Sequence, residues 1–408
     1  MNPQGVGRDH SDRAEPELSK GWRAIAAIVT TFMMLGAVRP SHCEDPARIT
    51  TSSEESVHAT TRGGSTPDRD VMVGFRGVYK TGCWTPLRVT GARGQAPWLW
   101  VDDPDGVPVG TASDWRSSPQ ADATPSPNRD SASTVSGFVR FGRPRGAVGI
   151  SSDDSGSDIR AVDLPAPLPG DTPLLVVMGK LPAIARACRL LERPDGVRPL
   201  PVQLEPAALH GSPLHLDAAD ALVLCGTSLG AEDGAGQVSA VKVIDTWVRR
   251  GGHMLLLAGQ SAVALEALGP PFSEWLPGQT RAESPGASSG LAPLRRTVAV
   301  ELFSRTSRPL AFAPTAPPRV PVFRNIDSSF DGSILLHEGQ LPTDLPLVTR
   351  RAHGLGTITW VGLDLDAPPF VDWAGSESFL SRLLADRFPA SFQAEPGALR
   401  HAAGDLDG

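Results

Sequence analysis

Ser261 closes the turn Gly259-Gln260-Ser261, which lies between an apolar run, His253 to Ala258, and a segment of helical spacing, Ser261 to Leu268. A strand-to-helix elbow of this kind projects its central side chain at the carboxyl end of a strand, with backbone N–H groups nearby for an oxyanion. A serine there acts as a nucleophile only if a base lies within hydrogen-bond reach. His353 precedes its strand and falls at the wrong end, so the candidate base is His337, followed by Glu338 after Leu335-Leu336. Val263 stands where such an elbow usually has a packing glycine. The preferred expectation is that Ser261 caps the next helix, its hydroxyl accepting from a first-turn N–H. Ala264 stands where a full capping box would need Glu or Gln, so the cap is expected to be a simple one.

Asp364 and Asp366 end the strand-like run Thr357 to Leu363 and share a face. Paired carboxylates there suit a cation, a polar ligand or acid–base work. Asp before Ala-Pro-Pro is also ordinary loop chemistry. Trp98 and Trp100 share one face of a strand, and Trp84 lies on another. An exposed Trp face would stack on a sugar, and a packed one is core; core is the expectation. The Asp-rich turns at 102–105 and 153–158 lack the ligand spacing of a calcium loop and read as turns, so no metal and no cofactor is expected. Cys83, Cys188 and Cys225 show no paired spacing, so no zinc site is indicated and no disulfide pair can be chosen. Cys188 and Cys225 fall in apolar patterns and are expected to pack as small hydrophobes.

These residues need elements to position them. Over 70–168 short apolar runs recur between strong turns: 71–75, 83–90, 98–101, 135–141 and 147–150. Frequent turns without a helical period predict a small β-sandwich. From 172 to 390 the pattern changes. Continuous apolar runs at 173–178, 220–225 and 253–258 alternate with amphipathic segments at 181–191 and 237–250, which predicts a doubly wound, mostly parallel sheet. Gly251-Gly252 ends the second helix. The segment 278–325 is rich in Pro, Ser, Gly and Arg, with a candidate strand at 297–302. Gly354-Leu355-Gly356 predicts a hairpin between 347–350 and 357–364, and a last helix is expected over 376–387.

Lys20 and Arg23 precede the apolar run 24–38, too short for a transmembrane helix and right for a signal-peptide core. We expect a signal peptide over 1–43, with an uncleaved membrane anchor as the alternative. A polar leader over 44–69 and a flexible tail over 391–408 complete the expected organisation. The 408-residue chain is long enough for two domains. Its net charge of −7 gives no electrostatic reason to expect nucleic acid as a partner.

Three segments carry a resemblance: Asp220-Ala-Leu-Val-Leu224, the run from Trp247 to Gly259 (WVRRGGHMLLLAG), and the run from Gly354 to Asp366 (GLGTITWVGLDLD). In this order they are similar to class I glutamine amidotransferase-like domains of the flavodoxin-like α/β class. The run from Gly74 to Thr90 resembles the opening of the β-sandwich that precedes such domains in exported or membrane-bound planctomycete-type bacterial proteins. In amidotransferases the elbow carries cysteine, and a later strand is followed by a His-x-Glu pattern. Here Ser261 holds the first position, and Asp364-Leu365-Asp366 follows the later strand. The resemblance therefore implies a degenerate domain without the catalytic Cys/His. Such relatives often continue into transmembrane helices, so this chain is expected to be a shortened one. The resulting expectation is an exported, periplasmic or envelope protein that binds without catalysis, its partner an envelope protein or a glycan. A serine hydrolase using Ser261 and a carbohydrate-binding sandwich are the alternatives.

Overall fold

The computed structural model describes residues 70–92, 97–113, 133–209, 211–229, 235–280, 290–323, 326, 330–339 and 345–388. The expected signal peptide, leader and tail lie outside the described residues. All described residues fall in one compact unit of the chain.

The first part is all β. Strands β1 (Asp70–Val73), β2 (Trp84–Ala92) and β5 (Ser133–Arg140) form one antiparallel sheet. Strands β3 (Trp98–Asp102), β4 (Pro108–Ala112), β6 (Ala147–Ser151) and β7 (Arg160–Asp163) form another, in the order β4-β3-β6-β7. Period-2 alternation turns Leu87, Val89 and Val139 of the first sheet and Leu99, Val148 and Ile150 of the second into one shared core. The same alternation turns Trp98 and Trp100 away from that core, where they are half-buried with ring centroids 6.4 Å apart. The core expectation for these tryptophans is thus corrected: one residue of register decides the face, and Leu99 and Val101 hold the inward positions.

The second part is a seven-stranded sheet. Strands β8 (Leu174–Met178), β9 (Leu200–Gln203), β10 (Ala221–Cys225), β11 (His253–Leu257) and β16 (Gly356–Val361) pair in parallel in the spatial order β9-β8-β10-β11-β16. Numbered along the chain, that order is 2-1-3-4-5, with a topological switch between β8 and β10. The hairpin β15 (Pro346–His353) and β14 (Ser333–His337) extends the sheet antiparallel beyond β16, while β12 (Leu291–Pro293) and β13 (Arg319–Pro321) pair with each other as a separate two-stranded sheet. Every residue of β8, β10 and β11 is buried, because both faces are covered. Leu175, Val177, Val223 and Leu255 face helices Ile184–Leu190 and Ser376–Leu384. Leu174, Val176, Leu222 and Met254 face helix Ala235–Arg249. The sheet is therefore wound on both sides, as the alternation of apolar runs and amphipathic segments predicts.

Two features were not expected. Val298–Ser304 is a helix and not a strand. Its β-branched alternation suggests extension, but Val300 and Ser304, four residues apart, are its buried positions, and Phe303 packs on Phe379 with ring centroids 5.2 Å apart. The crossover from β9 to β10 carries only two 3-10 turns, Pro206–Ala208 and Pro213–Leu216, among its described residues. The sandwich covers that side of the sheet: Phe75 joins Leu204, Leu209 and Leu216 in the core beneath, and Phe138 meets His215 edge-on at 4.8 Å. Lys80, 2% exposed, pairs there with Asp220, whose carboxylate also accepts from Leu174 N at 2.6 Å.

Candidate functional site

In doubly wound sheets ligands bind outside the carboxyl ends of the strands. Three turns meet at that end of this sheet. After β10, Gly226–Leu229 turns immediately into a helical segment. After β11, Gly259–Ser261 forms a 3-10 turn leading into helix Ala262–Ala267. After β16 come Gly362, Leu363, Asp364, Leu365 and Asp366, with the leucines buried and both carboxylates half-buried. The turns approach so closely that two positions require glycine. A Cβ on Gly226 would lie 1.9 Å from Ser261 Oγ, and one on Gly259 would lie 1.7 Å from Asp364 Oδ1. Gly259 also adopts φ +39°, a conformation that favours glycine.

The polar groups in this cluster are largely committed to one another. Asp364 Oδ1 accepts from Gln260 N at 3.0 Å, and Oδ2 accepts from Gln260 Nε2 at 3.1 Å. Asp366 Oδ2 accepts from Thr227 Oγ1 at 2.7 Å. Burial pushes the Asp364 carboxyl up to about 6 against the lowering effect of the Gln260 hydrogen bonds, and the charge of Asp366 adds to the rise. Asp364 therefore titrates near neutrality, a property common to catalytic carboxyls and to buried structural ones.

Ser261 occupies the nucleophile's position without a nucleophile's partners. Its hydroxyl donates to the Ala258 carbonyl. It does not cap the following helix as expected, since no first-turn N–H reaches it. The reason is backbone geometry: Ser261 sits at φ −69°, ψ −14°, a helical conformation, whereas a capping residue is usually extended. His337 ends β14 at the same end of the sheet, but the order β14-β15-β16-β11 puts it three strands from the strand that carries Ser261. Three interstrand spacings amount to about 14 Å. Its neighbour Glu338 is buried and accepts from Arg295 N and from Arg296 N, which holds the segment entering helix Val298–Ser304. His353 lies at the opposite end, where its Nε2 bonds Asp245 Oδ1 at 2.7 Å.

The switch point itself is filled. A Cβ on Gly179, after β8, would lie 2.8 Å from Cys225 Sγ and 2.5 Å from Cys225 Cβ. Burial, with a smaller contribution from Asp366, pushes the Cys225 thiol up to about 12, and burial pushes Cys188 to about 11. Both are protonated at neutral pH and are poor nucleophiles. Cys83, half-buried, is raised as well, first by burial, and these three cysteines, the described ones, are free. Among the described residues no group of three or more His, Cys, Asp or Glu is placed to hold a metal ion.

Sequence reasoning found Ser261, Asp364 and Asp366, and the structure brings their turns together. It missed Gln260, Thr227 and Gly226. The Gly-Gln-Ser turn marks Gln260 as an elbow residue, but nothing in the chain signals that its amide reaches residue 364. On the sandwich, Trp100 lies against Gly110 and Gly156, where an added Cβ would come within 2.9 and 3.1 Å of its ring, so the loop after β6 packs onto it. In that loop Asp153 and Asp158 accept from serine hydroxyls, including Ser155 Oγ at 2.7 Å and Ser152 Oγ at 2.7 Å. A pocket of about 170 Å³ lies between the sandwich and the 204–215 crossover, and another of about 170 Å³ lies near the amino ends of β10 and β11. Compared with family models, with curated proteins and with solved structures, the chain matches none.

Proposed function

We propose that the chain is an exported binding protein of the bacterial envelope, whose α/β part is a glutamine amidotransferase-like domain that no longer performs catalysis. The observation that carries this reading is the Ser261 hydroxyl, tied to Ala258 O at the position of a nucleophile. Among the described residues the Ser261 hydroxyl bonds a backbone carbonyl and no histidine, and His337 is three strands away, so the base that a serine nucleophile needs is not beside it. The order 2-1-3-4-5 supports the flavodoxin-like class. The absence of Cys at 261, and of a His-x-Glu pattern directly after β16, where Asp364-Leu365-Asp366 stands, supports loss of the chemistry. Lys20, Arg23 and the apolar run 24–38 support export. Among the described residues no helix is long and apolar enough to cross a membrane. The partner is an envelope protein or a glycan; for a glycan, Trp98 is the surface aromatic, with Trp100 held beneath its loop.

A serine-directed fluorophosphonate tests the reading. No label on the full chain, and none lost in Ser261→Ala, is the expected result. Labelling that disappears in both Ser261→Ala and His337→Ala would overturn it in favour of a serine hydrolase.

A further inference from the structure

The pocket between the sandwich and the α/β part is lined mainly by apolar side chains with a few polar ones. Its volume of about 170 Å³ compares with the ~150 Å³ of an apolar cavity that admits one benzene ring. Its walls come from two different layers. Pro86 and Phe138, opposite each other on β2 and β5, face outward from the three-stranded sheet, and Leu204, Ala208 and His215 face them from the crossover. Phe138 and His215 meet edge-on and close one side. Sites of this kind concentrate at junctions between packed layers, with few polar groups fixing orientation.

Arg76, Arg88 and Glu205 are the charged residues lining this pocket, and Arg76 is the one whose backbone is unusual. It sits at φ +52°, one of two described non-glycine residues with positive φ. That conformation is unfavourable for a long side chain and recurs at ligand clamps. It is held by a tight turn in which Phe75 and Val78 exchange backbone hydrogen bonds at 2.8 and 3.0 Å. The turn sends Phe75 into the core and leaves the Arg76 guanidinium at the pocket, where among the described residues it makes one loose ion pair, to Glu205 at 4.0 Å, both side chains more than half exposed. An exposed pair at that distance contributes little, so the guanidinium is available to a better-placed carboxylate.

We infer that this pocket binds a small carboxylate carrying a single aromatic ring, the ring between Phe138 and Ala208 and the carboxylate on Arg76. The inference gives the binding reading above a ligand class, but it uses none of the carboxyl-end residues. Fluorophosphonate labelling would overturn the one reading and leave the other standing.

The test is thermal unfolding of the full chain with benzoate as probe and benzamide as its uncharged control. A saturable rise in Tm with benzoate, at least tenfold weaker in half-saturation for benzamide, is expected. Arg76→Gln should abolish the preference for benzoate over benzamide, and Ala208→Leu, which fills the pocket, should weaken both at least tenfold while leaving the ligand-free Tm within a few degrees. Heteronuclear NMR shifts of Phe138 and Ala208 amides on benzoate addition locate the site if a variant fails to fold. Absence of any saturable shift at millimolar benzoate, or a shift unchanged in Ala208→Leu, would overturn the inference.

Discussion

Asp364 is the residue whose ionisation most directly reports on the candidate site. Its carboxyl is raised from the usual value to about 6, chiefly by burial. The unfolded chain gives up that proton near the ordinary value, so the group favours the folded state below about pH 4 and disfavours it as pH rises through 6. The full shift is discounted because the side chain is half-buried. Asp364→Asn should therefore stabilise the protein by about 1 kcal/mol at pH 8, with no gain at pH 4. Urea midpoints of both proteins at the two pH values check this, and a gain that is largest at pH 4 would contradict it. The two aspartates and Ser261 were readable as chemistry-bearing positions because residue type and turn context are local. Their partners were not, since Gln260 and Asp364 are 104 residues apart.

Helix Ala235–Arg249 shows how an element is held as well as formed. Val241, Ile244 and Val248 make the stripe that seats it on the sheet, and the sequence displays that stripe openly. Its polar anchor is less visible. Asp245 accepts from Arg249 Nε at 2.7 Å, from Trp275 Nε1 at 3.1 Å and pairs with His353 Nε2 at 2.7 Å, linking three elements through one carboxylate. Burial alone would raise Asp245, but hydrogen bonds from His353, Arg249 and Trp275 and the Arg249 charge together hold it below the usual carboxylate range. Asp245→Ala leaves His353 and Trp275, both buried, without that acceptor. A loss of about 2–3 kcal/mol is expected by urea denaturation at pH 7. The cost should shrink as pH falls through the lowered pKa, because the wild type then loses the same bonds. Helix Val298–Ser304 is the opposite case. Local alternation pointed to a strand, and packing against helix Ser376–Leu384 made it a helix.

For the whole molecule, the junction between sandwich and sheet decides what is covered. Lys80 is almost fully buried and pairs with Asp220 just before β10, while Asp217 accepts from Trp84 N at 2.8 Å. Removing one partner of a buried pair leaves the other uncompensated, which costs more than the pair itself contributes. Asp220 keeps some exposure, so Lys80→Met should cost about 2–3 kcal/mol rather than the extreme. Lys80→Met combined with Asp220→Asn should recover part of it. Calorimetry of the three proteins checks both statements, and equal Tm values for Lys80→Met and wild type would refute them.

Apolar periodicity by itself determined that β strands come first and an α/β sheet follows, since period 2, period 3.6 and doubly buried runs are written into neighbouring residues. It also marked the turn that carries Ser261. Only the tertiary structure decided that the Ser261 hydroxyl turns to Ala258 O, that Asp364 clamps Gln260, and that Trp98 and Trp100 face away from the sandwich core. The same holds for the pocket beside Arg76, whose walls come from β strands and a crossover more than 60 residues apart in the chain. The physical reason is common to all of these. A side chain's hydrogen bonds and its face depend on which distant backbone lies within about 3 Å, and that is set by strand order and packing, which no local pattern encodes.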